Sequence, residues 1–535
     1  MSMRKLLIFS LLLTAYIVSA ATIIRPSKQA HYFLFPVQEN AKEVRVRVVY
    51  ENKEVDHFTL FLAQTSVDYT VPYNISGYDV KHLTFIVDSD SPLLTNRTTD
   101  TFDATNTEKW RPAFHHTPAY GWMNDPNGMY YDPTTRLWHL YYQYNPYGSK
   151  WGNMTWGHST SSDLVNWTHE QAAIKPDGLG MIFSGSTVID KDNTAGFGKN
   201  AVVAMYTSAA EKQTQSIAFS VDGGKSFTPY AGNPVLTADV PDFRDPKIFR
   251  NEQTGEWNMV LAAGQEVRFY ASSNLIDWRY LSSFGKGYGA HGGVWECPDM
   301  LQLPVRGTKK TRWVLLLNIN PGGPFGGSAT QYFVGDWDGQ TFTCDHHSTR
   351  WMDYGRDHYA TVSFANSPDN RHVVVAWMSN WQYANEVPTR HYRSANSLPR
   401  DIDLYEDATG QLRLGVKPSP EVQHLAKRFV LKPKGGKNAT LVISNNMGEY
   451  VTVRYDADKQ MLIFDRTESG VTEFSHHFPC QVEMPIFARK ADKKSHLTID
   501  VFVDNCSVEI FDADGRFALT NLIFPTEPMC NFKIQ

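Results

Sequence analysis

Three carboxylates stand in short runs far apart in the chain: Asp125 in NDPNGMYY, Asp245 in FRDPKIFR and Glu296 in ECPDMLQL. Trp122, Trp151, Trp156 and Trp295 lie close to them in sequence. If the acids converge, like charge and burial both penalise their ionisation, so the arrangement is costly unless chemistry uses it. Two carboxylates flanking a glycosidic bond are the usual equipment for glycoside hydrolysis. Trp and Tyr faces suit a sugar ring, although packing is the commoner role of any one aromatic. A ring of acids also suits a calcium ion. Taken alone, NDPNG reads equally well as a hairpin turn, because Asn-Gly tolerates positive φ.

Convergence depends on the elements that carry these residues. Five segments within residues 110–400 open on a polar or acidic residue and run into a strand pattern: NDPNGMYY, FSGSTVID, FRDPKIFR, ECPDMLQL and HYATVSFA. Each is followed by a turn and a second apolar run: WHLYYQY, AVVAMYTS, WNMVLAAG, WVLLLNIN and HVVVAWMS. In four of the five a third segment then closes on an aromatic. The period, roughly 50–60 residues, is in the range of a propeller blade of four short strands. The spacing predicts a five-bladed β-propeller over residues 110–405. An irregular sandwich gives no reason for five matched starts. In a propeller the first strand of each blade lines the axis, so Asp125, Ser184, Asp245 and Glu296 are expected at one end of the channel.

The rest of the chain reads as β structure too. Residues 21–100 alternate as in KEVRVRVVYEN and predict a small N-terminal β-domain. Residues 415–535 alternate cleanly and predict a C-terminal β-sandwich. The fold class is therefore all-β. Residues 1–20 carry Arg4 and Lys5, an apolar run and the small pair Ser19-Ala20, a signal peptide pattern with cleavage expected after Ala20. That predicts a secreted or periplasmic protein with no membrane span. The balance of 51 Lys+Arg against 56 Asp+Glu shows no basic stripe and no nucleic-acid partner. Nothing in it sets an oligomeric state.

The five cysteines have no framework or zinc spacing, so neither metal nor cofactor is expected. A Cys506–Cys530 pair stays open. Cys297 reads as a small core residue. The pairs His115-His116 and His346-His347 and the run RKADKK read as solvated loops and turns, and GGPFGG at 322–327 as a flexible loop.

The ordered set WMNDPNG, YQYNP, WGH, FSGS, RDP and WECPD closely resembles glycoside hydrolase family 32, a family of invertases, inulinases and levanases. The tail VDNCSVEIFDADGR resembles that family's C-terminal sandwich, so the likeness covers about residues 110–535. Spacing alone does not say which acid does what. The resemblance implies retention through a covalent fructosyl-enzyme, with Asp125 as nucleophile and Glu296 as acid and base. It implies that Asp245 stabilises the transition state, with Arg244 keeping it ionised. It implies a fructose pocket of Asn124, Gln143, Trp151, Phe183 and Ser184, with Tyr359 and Trp377 from looser matches. The expected activity is release of fructose from fructans or sucrose, by exo attack. An endo-acting enzyme or a fructosyl transferase would use the same three acids. A non-catalytic carbohydrate-binding propeller has no need of them.

Overall fold

The computed structural model describes residues 21–104, 108–252, 254–433, 438–488 and 496–535. The expected signal sequence and the RKADKK turn lie outside the described residues. The chain divides into two compact units, residues 1–102 and 103–535.

In the first unit, alternation makes the sheet. In Glu43–Tyr50, Val44, Val46 and Val48 point inward while Glu43 and Arg45 stay exposed. A two-residue turn with positive φ at Glu51 and Asn52 returns the chain into Lys53–Phe61. These strands join Leu83–Val87 and Thr22–Ile24 in one antiparallel sheet. Tyr32–Val37, Tyr69–Asn74 and Thr98–Thr99 form a second. Between them pack Phe33, Phe35, Phe58, Tyr73 and Phe85, with ring centroids 4.9–5.5 Å apart.

The second unit begins with five antiparallel sheets in chain order. Their first strands are Gly121–Asp132, Met181–Asp190, Phe243–Arg250, Val294–Pro304 and Tyr359–Ser363. Each first strand packs against the first strand of the next sheet, and the fifth packs back on the first. The sheets thereby close a ring with these strands innermost. The next strand out is covered on both faces, so Ala201–Ala209 is buried at every position, with its polar Thr207 and Ser208 hydrogen-bonded to Gln215 and Ser216. Tyr392–Arg393 adds in parallel to Gly121–Trp122 and ties the end of the ring to its beginning.

A two-sheet sandwich follows. One sheet holds Lys427–Leu431, Leu497–Asp504, Ser507–Asp512 and Ala518–Leu522. The other runs from Gln481–Pro485 to Asn531–Ile534. Leu441, Val453, Phe464, Ile499, Ile510 and Leu519 fill the space between them.

The seam between ring and sandwich is built of buried charge. Arg400 donates to Asp353 at 2.8 Å and to Glu509 at 2.6 Å. His115 bridges Asp504 at 2.7 Å and Glu509 at 2.8 Å. Burial alone would lower the His115 pKa, but hydrogen bonds and charge from the two acids raise it to about 9. The neighbouring His116 meets Asn396 and Ser159 instead, and burial lowers it to about 3. The expectation of a solvated loop for this pair is thus corrected: both rings are buried. The Cys506–Cys530 pair does not form either. All five cysteines are free, with Cys506 buried and Cys530 exposed.

Candidate active site

Every inner strand is irregular at the same level. The ladder register shifts between Met123 and Pro126, Ile182 and Gly185, Arg244 and Lys247, Glu296 and Asp299, and Tyr359 and Val362. A bulge inserts an unpaired residue, bends the strand and re-aims a side chain. At these shifts stand Asp125, Ser184, Asp245, Glu296 with Cys297, and Tyr359. Asp245, Cys297 and Ala360 carry positive φ of 65°, 42° and 54°, a strained region for residues with a side chain. NDPNG is therefore not a hairpin turn. It is the bulged middle of one continuous strand, and a second shift follows between Asn127 and Tyr130. Gly128 belongs there because a Cβ would come within 2.6 Å of the Trp156 ring.

The bulges open on a cavity of about 380 Å³. Asp125 forms part of its floor. Its Oδ1 accepts from Asn124 Nδ2 at 3.0 Å and its Oδ2 from Ser184 Oγ at 2.6 Å and Cys297 Sγ at 3.4 Å. Trp122 Nε1 donates to Asn124 Oδ1 at 2.7 Å and fixes the amide. Burial raises the Asp125 pKa and the Glu296 charge adds to it, while the Ser184, Asn124 and Cys297 donors oppose.

Asp245 is buried deeper. Its Oδ2 accepts from the Cys297 backbone N–H at 2.9 Å and lies 3.5 Å from the thiol. Burial pushes its carboxyl up to about 7, Arg244 opposes, and Glu296 and Asp125 add to the rise. Glu296 Oε1 accepts from Arg244 Nη2 at 2.8 Å and Nε at 3.2 Å. Its Oε2 accepts from the Tyr359 hydroxyl. Arg244 thus serves Glu296 more directly than Asp245, which lies 3.9 Å away. Burial works against the Arg244 charge, but Glu296 and Asp245 overcome it and raise its pKa.

Asn124, Gln143, Trp151, Phe183, Ser184, Arg244 and Tyr359 all line this cavity together with the three acids. Trp377 does not. Its ladder partner is Tyr359, and its indole is fully buried 4.8 Å behind Trp381, which takes the place on the wall. Trp122, Trp156 and Trp295 are likewise fully buried and act from behind. Trp156 Nε1, for instance, holds the Phe183 carbonyl at 3.0 Å. Sequence reasoning missed Gln213, Asp242, Asn320 and Trp381 on the cavity wall. Only Trp381 had a signal, as the second Trp of VAWMSNW. Among the described residues, no group of three or more His, Cys, Asp or Glu is arranged to hold a metal ion.

Comparison with known proteins adds independent findings. Residues 115–416 match the glycosyl hydrolases family 32 N-terminal domain and residues 396–534 that family's C-terminal domain. Residues 19–114 match a domain family of unknown function. The chain is 41% identical to a levanase of Bacillus subtilis over 457 residues, covering 78% of this chain and 67% of that protein. It is 36% identical to an extracellular exo-inulinase of Aspergillus niger, covering 78% of this chain and 90% of the other. Among solved structures it resembles a fructofuranosidase from Schwanniomyces occidentalis complexed with fructose. That likeness has a TM-score of 0.74 and 34% identity, over 80% of this chain and 95% of that one.

Proposed function

The chain belongs to glycoside hydrolase family 32, and on that premise we propose that it is a β-fructofuranosidase releasing terminal fructose from fructans and sucrose with retention. The observation that carries this reading is the placement of Asp125 and Glu296 on two different inner strands beside one cavity, each held by a different set of donors. We read the ring of five sheets as a five-bladed propeller spanning residues 110–405, with residues 21–100 and 415–535 as separate β-domains. Extracellular naming of the exo-inulinase relative supports secretion.

Asp125 attacks the anomeric carbon. Ser184 and Asn124 hold its carboxylate in one orientation, and their hydrogen bonds favour the charged form against burial. Glu296 gives a proton to the leaving oxygen, then takes one from water in the second step. Its side chain is 20% exposed against 5% for Asp245, which suits a group that exchanges protons with solvent. Asp245 lies beneath, and positive charge developing on the sugar favours its ionised form. The cavity, walled by Trp151, Phe183 and Trp381, suits one terminal ring better than a chain passing through.

The test is the early product profile on inulin and levan. Fructose as the sole early product supports the reading. A ladder of oligosaccharides before free fructose moves the assignment to an endo-acting enzyme on the same three acids.

A further inference from the structure

Asp242 stands two residues before Arg244 with φ +52°, a left-handed backbone that Asp and Asn tolerate better than most residues. It lines the same cavity. Its Oδ1 accepts from Arg244 Nη1 at 2.6 Å, shorter than the 2.8 Å contact between Arg244 Nη2 and Glu296. Gln213 Oε1 accepts from the same Nη1 at 3.2 Å. The guanidinium is therefore gripped at one edge by Asp242 and Gln213 and presents its other edge to Glu296. The Asp242 carbonyl accepts from Gly264 N–H, and the Gly264 carbonyl accepts from Trp295 N–H, so backbone bonds link Asp242 to the residue before Glu296.

A general acid must carry a proton at working pH. An Arg beside Glu296 works against that, because a fixed positive charge favours the carboxylate. We propose that Asp242 is a positioning residue that offsets the Arg244 charge and so lets Glu296 hold its proton. This rests on the reading of Glu296 as the acid and base. Among the described residues, Tyr359, Asp125, Asp245 and Cys297 also face Glu296. None of them is a cation, so Asp242 is the carboxylate that answers Arg244 without itself being one of the three central acids.

The test compares kcat/KM against pH on sucrose for the parent, Asp242→Asn, Asp242→Glu and Glu296→Gln. Asn keeps the shape and the left-handed backbone and removes only the charge. For Asp242→Asn the alkaline limb is expected to move down by roughly one pH unit, with KM within about twofold of the parent. The acid limb, which ionisation of the nucleophile Asp125 sets, moves less, because the Asp125 oxygens accept from Asn124, Ser184 and Cys297 rather than from Arg244. Asp242→Glu, which restores the charge, brings the limb back toward the parent. An unmoved limb in Asp242→Asn overturns the proposal. So does a raised KM with kcat preserved, which makes Asp242 a substrate contact. If Glu296→Gln keeps the parent's alkaline limb, it is the assignment of Glu296 that fails instead.

Discussion

Cys297 Sγ donates to Asp125 Oδ2 across 3.4 Å, although 172 positions separate the two residues in the chain. The contact exists because bulges at equivalent levels of the first and fourth inner strands turn both side chains toward the axis. Burial pushes the Cys297 thiol well above its ordinary range, and the charges of Asp125, Asp245 and Glu296 add to the rise. The thiol stays protonated and acts as a weak donor to two carboxylates. The thiolate is the nucleophile in alkylation, so Cys297 is expected to be inert in the folded enzyme. Iodoacetamide at pH 8 should leave activity intact, with Cys297 alkylated only after denaturation. Inactivation within minutes that peptide mapping traces to Cys297 contradicts this.

Asp245 is held at a cost. Its carboxyl is pushed up to about 7, above the ordinary carboxylate value it takes when unfolded. The native state therefore binds the proton more tightly, and stability contributed by this group is lost as pH rises from about 4 to about 7. Asp245→Asn mimics the protonated form. It should raise the thermal midpoint at pH 8 and leave it unchanged at pH 4. Activity should fall by roughly 10²–10³-fold, the usual loss when one electrostatic stabiliser is removed. A lower midpoint at pH 8 means that the Asp245 charge supports the fold rather than the reaction.

Buried histidines set the acid edge of stability. Burial lowers His139 to about 4 and His158 and His358 to about 3, each below the unfolded value near 6.5. His139 Nδ1 and His158 Nε2 lie 3.1 Å apart, so both cannot be charged. The unfolded chain binds more protons across this window, and stability falls as pH drops from about 6.5 toward 4. His115 works the other way. Its pKa is raised to about 9, so its contribution is complete below about 6.5 and is lost as pH rises through 9. Thermal midpoints of the parent should decline at both edges, and His115→Gln should flatten only the alkaline one. An alkaline decline that survives in His115→Gln assigns it to other groups.

The seam between ring and sandwich is a separate test of energetics. Arg400→Met leaves Asp353 and Glu509 buried without their shared cation. Breaking a buried pair in this way costs about 3–5 kcal/mol. Urea unfolding should show that loss, while KM for sucrose stays at the parent value. An unchanged urea midpoint means that water or repacking replaces the guanidinium.

Much of this arrangement is legible in the sequence. The five strand starts are visible because each inner strand changes from polar to apolar at the same level, where it passes from cavity to packed ring. That change places Asp125, Ser184, Asp245 and Glu296 at one level of the ring, where they line one cavity. The bulges are not visible, because a strand that carries DPNG has turn chemistry by composition. Trp377 and Trp381 are four residues apart, and only the ladder pairing of Trp377 with Tyr359 shows which one reaches the wall. His115 looks solvated because its partners Asp504 and Glu509 lie 389 and 394 positions away. Asp242 and Gln213 acquire meaning only from the path of one side chain, that of Arg244.

Double displacement on Asp125 makes a stereochemical prediction that methanol, as a competing acceptor, reads out. A fructosyl group held on Asp125 can be attacked from one face only, and the methyl glycoside that forms does not mutarotate. Sucrose turned over in dilute methanol should yield methyl β-fructofuranoside as the only methyl glycoside by NMR. Asp125→Asn should fold normally and form it at least ~10⁴-fold more slowly. Methyl α-fructofuranoside, or a normal rate in Asp125→Asn, rules out a fructosyl group held on Asp125.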